Sequence, residues 1–150
     1  YQPLSRSALI ELLRNENSFD EQDSASFALL GSTHYKTGDM ANAELSILEA
    51  EKIDRNSYYR LRIFGYKSLL MLRKNKSEGF DALRQYVLFL KALNLPFDTH
   101  DMNLMIDTKR VDIGILETKI EEQSIWYENE MERFNAGEPC YFTEKLDRAM

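Results

Sequence analysis

The side chains able to do chemistry are few and far apart. His34 and His100 are the only histidines, and Cys140 is the only cysteine. Asp98, His100 and Asp101 stand together near a helix start. A metal site needs three or four converging ligands, and this cluster offers one imidazole. Cys140 has no histidine beside it and no glycine-rich turn before it, so nothing marks it as a nucleophile. His34 falls on a helix face expected to be buried, where an imidazole serves the core. No glycine-rich phosphate loop occurs, since Gly31, Gly38 and Gly65 suit packing and capping. No catalytic residue, no metal and no cofactor is therefore expected.

Two runs of charge remain. Lys67, Arg73, Lys74 and Lys76 straddle a turn and read as a solvated face rather than a nucleic-acid site. Glu117, Glu121, Glu122, Glu128, Glu130 and Glu132 make one long segment acidic, which suits a basic partner or simple solubility. The whole chain of 150 residues carries 25 acidic and 19 basic side chains, a formal net charge of -6. That balance argues against binding a nucleic-acid backbone. Apolar residues at 43% and charged ones at 29% describe one globular domain with a real core. No uncharged apolar run is long enough to cross a membrane. A single cysteine excludes an internal disulfide and fits a reducing compartment, so a cytoplasmic location is expected. The chain opens at Tyr1 with no signal-peptide pattern and stops at Met150 inside a fresh helical pattern, which suggests a piece of a larger protein.

These residues must be positioned by helices. Apolar residues recur at helical spacing over 4–13, 24–36, 40–53, 57–73 and 78–93, and no useful stretch alternates as a strand would. The three prolines, Pro3, Pro96 and Pro139, all sit at the ends of periodic segments. Thr37-Gly38-Asp39 supplies a stop and a start together, with Gly38 ending one helix and Asp39 capping the next. Polar breaks are expected at 15–22, 54–56 and 74–77, with Asn56 a cap. Asp98 and Thr99 can cap a short helix through Ile106, and one long helix is expected from Thr108 to Phe134, ended by Gly137 and Pro139. Thr143 to Leu146 reads as the first turn of another. The organisation is thus an N-terminal helix and linker over 1–22, two helix pairs over 24–96, a short and a long helix over 98–136, and a turn and new helix over 137–150. The fold class is all-α.

In the long helix Ile106, Ile113, Ile120, Tyr127 and Phe134 recur every seven residues, with Leu116 and Met131 between them. Gln123 and Glu130 interrupt that stripe. It can pack against the preceding helices, or pair with a second copy as a homodimer seam.

The most informative stretch is Phe27 to Arg55: Phe27, Leu30, Gly31, His34, Tyr35 and Gly38-Asp39, then Ala43, Ile47, Ala50 and Ile53. Its order and spacing resemble the tetratricopeptide repeat. Gly31 and Ala43 are small where two antiparallel helices must approach closely. Ala50 admits the next pair, and Phe27, Leu30, Ile47 and Ile53 fill the gaps. Ile47 replaces the family's second-helix aromatic, His34 its common tyrosine and Arg55 its closing proline. One repeat further, Leu61, Phe64, Gly65 and Ser68 precede Ala82, Tyr86, Phe89 and Pro96. This second unit diverges: the connection between its helices is about five residues longer, and Phe89 stands where a small residue is usual. The resemblance covers residues 24–96, and the long helix would be a stretched third pair or a cap.

The resemblance implies a concave groove, lined by the first helix of each pair, that holds a partner peptide. The matching positions are Ser32, Tyr35 and Lys36 in the first unit and Tyr59, Arg62 and Tyr66 in the second. Tyrosine and arginine are frequent interface anchors. The lysine and asparagine that grip chaperone tails in one subgroup are matched by Ala28 and Ser32, so that specificity is not expected. The implied function is a scaffold that binds another protein or peptide without catalysis. The alternative is an oligomerisation or regulatory segment of a larger protein, self-associating through 106–134.

Overall fold

The start of helix α1 (Ser24–Lys36) lies beside the end of helix α2 (Met40–Ile53), where the Ser24 hydroxyl donates to Asp54 at 3.4 Å. The two helices are therefore an antiparallel hairpin, with the bounds expected from periodicity. Its turn follows from three residues. Gly38 takes φ +88°, and Asp39 N–H bonds the His34 carbonyl at 2.8 Å while Gly38 N–H bonds that of Tyr35 at 3.1 Å. That pattern closes a helix with a left-handed residue. Asp39 then caps α2 by accepting from Asn42 N–H at 3.3 Å. Phe27, Ala43, Ile47 and Ala50 are fully buried, and a Cβ on Gly31 would come within 2.7 Å of the Ile47 side chain. The computed structural model describes residues 24–54 and 57–143. The expected helix over 4–13, the linker 15–22, the Asn56 cap and most of the turn from Thr143 to Leu146 lie outside those residues.

Because nothing but a left-handed backbone is asked of position 38, Gly38→Ala is expected to lower the unfolding free energy by about 1 kcal/mol. Space is not at issue there, since a Cβ would meet no atom within 4 Å. Lys109, at φ +57°, sits in the same conformation with the wrong side chain. Lys109→Gly should shift the urea midpoint the opposite way by a comparable amount.

A short 3-10 turn (Ser57–Tyr59) leads into α3 (Arg60–Lys74), which pairs with α4 (Lys76–Ala92). The polar break expected at 74–77 shrinks to Asn75. Its side chain accepts from Ser77 N–H at 3.0 Å and Glu78 N–H at 3.4 Å, so Lys76 and Ser77 belong to the helix. The connection is thus shorter than the first hairpin's, not longer. Helices α3 and α4 approach closely at Gly79, where a Cβ would lie 2.5 Å from Leu72 Cα and 2.6 Å from Leu72 N. Gly65 faces the long helix as well as α4, since a Cβ built there would press on Ile120 Cγ2 and lie 3.1 Å from Tyr86 Cε2. Lys67 bonds Glu51 at 2.7 Å and Lys74 bonds Glu44 at 2.8 Å, so α3 runs antiparallel to α2.

The short helix expected through Ile106 is α5 (His100–Thr108), and the long helix expected from Thr108 is α6 (Ile113–Asn135), which starts five residues later. Lys109 ends the first by accepting a left-handed backbone, and Asp112 caps the second through Ile115 N–H at 3.2 Å. A non-glycine left-handed residue leaves no mark in the sequence, which is why the break was expected a few residues too early. Leu116, Ile120 and Tyr127 of the heptad stripe are buried inside the chain, while Phe134 remains 42% exposed. Among the described residues every regular element is helical, and no helix is long and apolar enough to cross a membrane.

Candidate functional site

Arg62 stands in the first turns of α3 and is 3% exposed. A buried guanidinium must find acceptors for its fork of donors, and it finds them on α6. Nε and Nη2 bond the two oxygens of Glu128 at 2.8 and 3.0 Å, a paired, planar geometry. Nη1 reaches Glu121 at 2.7 Å and the Ser32 hydroxyl of α1 at 3.2 Å. Glu121 and Glu128 are seven residues apart, two helical turns, so one face of α6 presents both.

The neighbouring side chains extend the same contact. Tyr66 donates its hydroxyl to Glu121 at 3.2 Å, and Lys36 of α1 also bonds Glu121. The Tyr35 and Tyr66 rings meet edge to face at 5.4 Å. Arg73 donates to the Tyr35 hydroxyl at 3.0 Å, lies over that ring at 5.1 Å and faces Glu117 at 3.6 Å. The pairs run in order, 62 with 128, 66 with 121 and 73 with 117, so α6 lies antiparallel to α3. Deeper, Tyr86 of α4 donates to Gln123 at 2.7 Å. Alongside, an open cavity of about 610 Å³ is walled by Tyr35, Lys36, Tyr66, Arg73, Glu117 and Glu121.

Burial opposes the charge of Arg62, but Glu128 and Glu121 outweigh it and hold the guanidinium above its usual range. Burial pushes the Tyr35 hydroxyl up to about 12, with Glu117 adding to it, and lifts Tyr66 further beside Glu121. Both phenols therefore remain donors. The two carboxylates diverge. Burial raises Glu121, yet Lys36 and Arg62 together pull it below the ordinary 4.5. Glu128 is lifted above 4.5 because its burial exceeds what Arg62 returns.

The signs of these shifts set a pH dependence. Glu121 stabilises the native state fully above 4.5, and that stabilisation is lost as pH falls through its lowered native value. Glu128 acts oppositely, since the native state takes up its proton first and gains between its raised value and 4.5. Little loss at this site is expected from neutral pH to 4.5, followed by a steep loss below. Urea unfolding of Glu121→Gln across this range should show a shallower acid limb than the parent chain. An unchanged limb would assign the loss to other carboxylates.

Of the six groove positions expected from sequence, the structure gathers Ser32, Tyr35, Lys36, Arg62 and Tyr66 in one cluster. Four of them, Ser32, Tyr35, Arg62 and Tyr66, are buried beneath the chain's own α6. Lys36 is exposed, and Tyr59 stands half-buried at the start of α3, its ring tilted against Tyr58 at 6.4 Å. Glu121, Glu128, Glu117 and Gln123 complete the cluster. The acidic run on the long helix marked three of these without indicating that their basic partners lay in the same chain.

Other candidates resolve differently. His34 is half-buried, not in the core, and pairs with Asp39 at 3.5 Å. Asp98 caps His100 N–H at 2.9 Å, and Asp101 faces Lys119 at 3.6 Å. Cys140 is buried, with its Sγ 3.3 Å from the Thr143 hydroxyl. Among the described residues no group of three or more His, Cys, Asp or Glu converges as metal ligands would. Comparison with protein families, with curated proteins and with solved structures finds no match for this chain.

Proposed function

We propose that this chain is a tetratricopeptide-like helical-repeat module that holds another protein and performs no catalysis of its own. The observation that carries the reading is that α1 and α3, the first helices of two successive hairpins, together seat a helix through Lys36, Arg62 and Tyr66, with Ser32 of α1 bracing Arg62. A preformed surface of this kind orders a bound helix at little conformational cost to itself. The open cavity beside Tyr35 and Arg73 leaves part of the groove accessible. The rival reading, a dimer seam along 106–134, would need Leu116, Ile120 and Tyr127, which are already buried within the chain.

A photo-crosslinking amino acid placed at Lys36 or at Arg73 tests the reading, since both side chains reach the groove rim. The same partner should be captured from both positions and not from Lys91 on α4. The purified partner should then bind the chain at least tenfold more weakly after Arg73→Glu. Equal capture from all three positions would rule the groove out.

A further inference from the structure

The contact under α6 is built on ion pairs as well as apolar side chains. Between α3 and α4 the buried side chains are Leu69, Leu72, Phe80, Leu83, Val87 and Leu90. Under α6 the apolar anchors Leu116, Ile120 and Tyr127 are interleaved with Glu121, Gln123, Ser124 and Glu128, and the buried Ser124 hydroxyl has no hydrogen-bond partner. Buried ion pairs give little net stability, because desolvation cancels most of the attraction, yet they demand a particular partner geometry. The polar half of this interface is selective and exchangeable, while Leu116, Ile120 and Tyr127 keep α6 docked in most molecules. Its covalent tether explains why it is occupied, since a linked helix competes at a high effective concentration.

We propose that α6 is a displaceable occupant of the groove, and that the partner replacing it is an acidic amphipathic helix presenting two carboxylates seven residues apart to Arg62. The proposal rests on the groove reading above and adds to it the chemistry of the partner and a means of regulation. Charge complementarity selects this occupant. Lys36, Arg62 and Arg73 line one strip along α6, with Arg62 buried beneath it, and the seated helix answers them with Glu121, Glu128 and Glu117. A basic helix would leave Arg62 buried against like charge. The chain's apparent affinity for such a partner is reduced by the fraction of molecules in which α6 is docked.

The probe is a fluorescent synthetic peptide of residues 113–135, titrated into the full chain. Glu121→Gln with Glu128→Gln in the chain removes the tethered carboxylates and leaves Arg62 in place. This variant should bind the peptide at least tenfold more tightly than the parent chain. The gain should vanish with a peptide carrying glutamine at both positions, and also when Arg62→Met is added to the chain. Equal affinity of variant and parent would establish α6 as a permanent part of the fold, leaving the crosslinking test of the groove unaffected. Equal binding of the acidic and glutamine peptides would overturn the carboxylate-reading partner. Hydrogen exchange on the parent chain guards against a variant that fails to fold. Amides of 116–128 should exchange at least tenfold faster than those in the middle of α3 and α4, and equal protection would overturn displacement.

Discussion

Arg62→Met will lower the unfolding free energy by roughly 2–3 kcal/mol, at the upper end of what hydrogen bonds to charged groups are worth, because the carboxylates it leaves are only partly buried. The substituted side chain is apolar and of similar length, so lost packing contributes little. What remains is Glu128, partly buried and without its paired donors, and Glu121, which keeps Lys36 and Tyr66. Glu128, already lifted by burial, will then take up a proton at higher pH still. The comparison that isolates the cause is the triple variant Arg62→Met, Glu121→Leu, Glu128→Leu. Replacing a whole buried ionic cluster by apolar groups is often neutral or stabilising, so the triple should recover most of the loss. Urea denaturation monitored by circular dichroism measures all three proteins. A single variant within about 1 kcal/mol of the parent would mean that water reaches the cluster and screens it.

The second large effect is expected at Gly79→Ala. A methyl group there would lie 2.5 Å from Leu72 Cα and 2.6 Å from Leu72 N, and backbone atoms in a helix cannot step aside. The hairpin of α3 and α4 must open along its length, which also loosens Leu83 and Phe80. Overpacking typically costs about 1–3 kcal/mol, and a backbone clash belongs at or above the top of that range. Gly31→Ala makes the useful contrast. Its methyl would meet the Cδ1 and Cγ1 atoms of Ile47 at 2.7 Å, while the backbone N of Ile47 stands farther off at 3.3 Å, so a side chain rather than a backbone takes the closest clash. The midpoint shift for Gly79→Ala should therefore be clearly the larger, with unchanged m-values in both cases. The reverse order would mean that the two hairpins trade places in tightness.

Local chemistry was readable in the chain before any coordinates. The bounds of α1 and α2 follow from residues within a few positions of each end: Gly38 free to turn left-handed, Asp39 able to accept from the next turn, and leucine or alanine at helical spacing. Where a signal of that kind was ambiguous, the reading slipped by a turn. Lys74 to Ser77 looked like a polar loop because charge and serine are common to loops and to the first turn of helices, and only the pair of bonds to Asn75 separates the two. Lys109 reads as the first turn of the long helix, since lysine favours helices and left-handed lysine is rare.

Long-range pairing was not readable at all, and it decides what the groove is. Arg62 and Glu121 are 59 positions apart, and Arg62 and Glu128 are 66 apart. A carboxylate on the solvent side of a helix and one clamped by a buried arginine have the same letter and the same spacing. The repeat pattern placed Ser32, Tyr35, Arg62 and Tyr66 on a common surface because that depends on helix period and hairpin packing, which are local. That α6 would lie on that surface depends on a fold-back across the whole domain, whose free energy is a small difference between burial and desolvation summed over many contacts. Sequence spacing carries the period of each helix but not that sum.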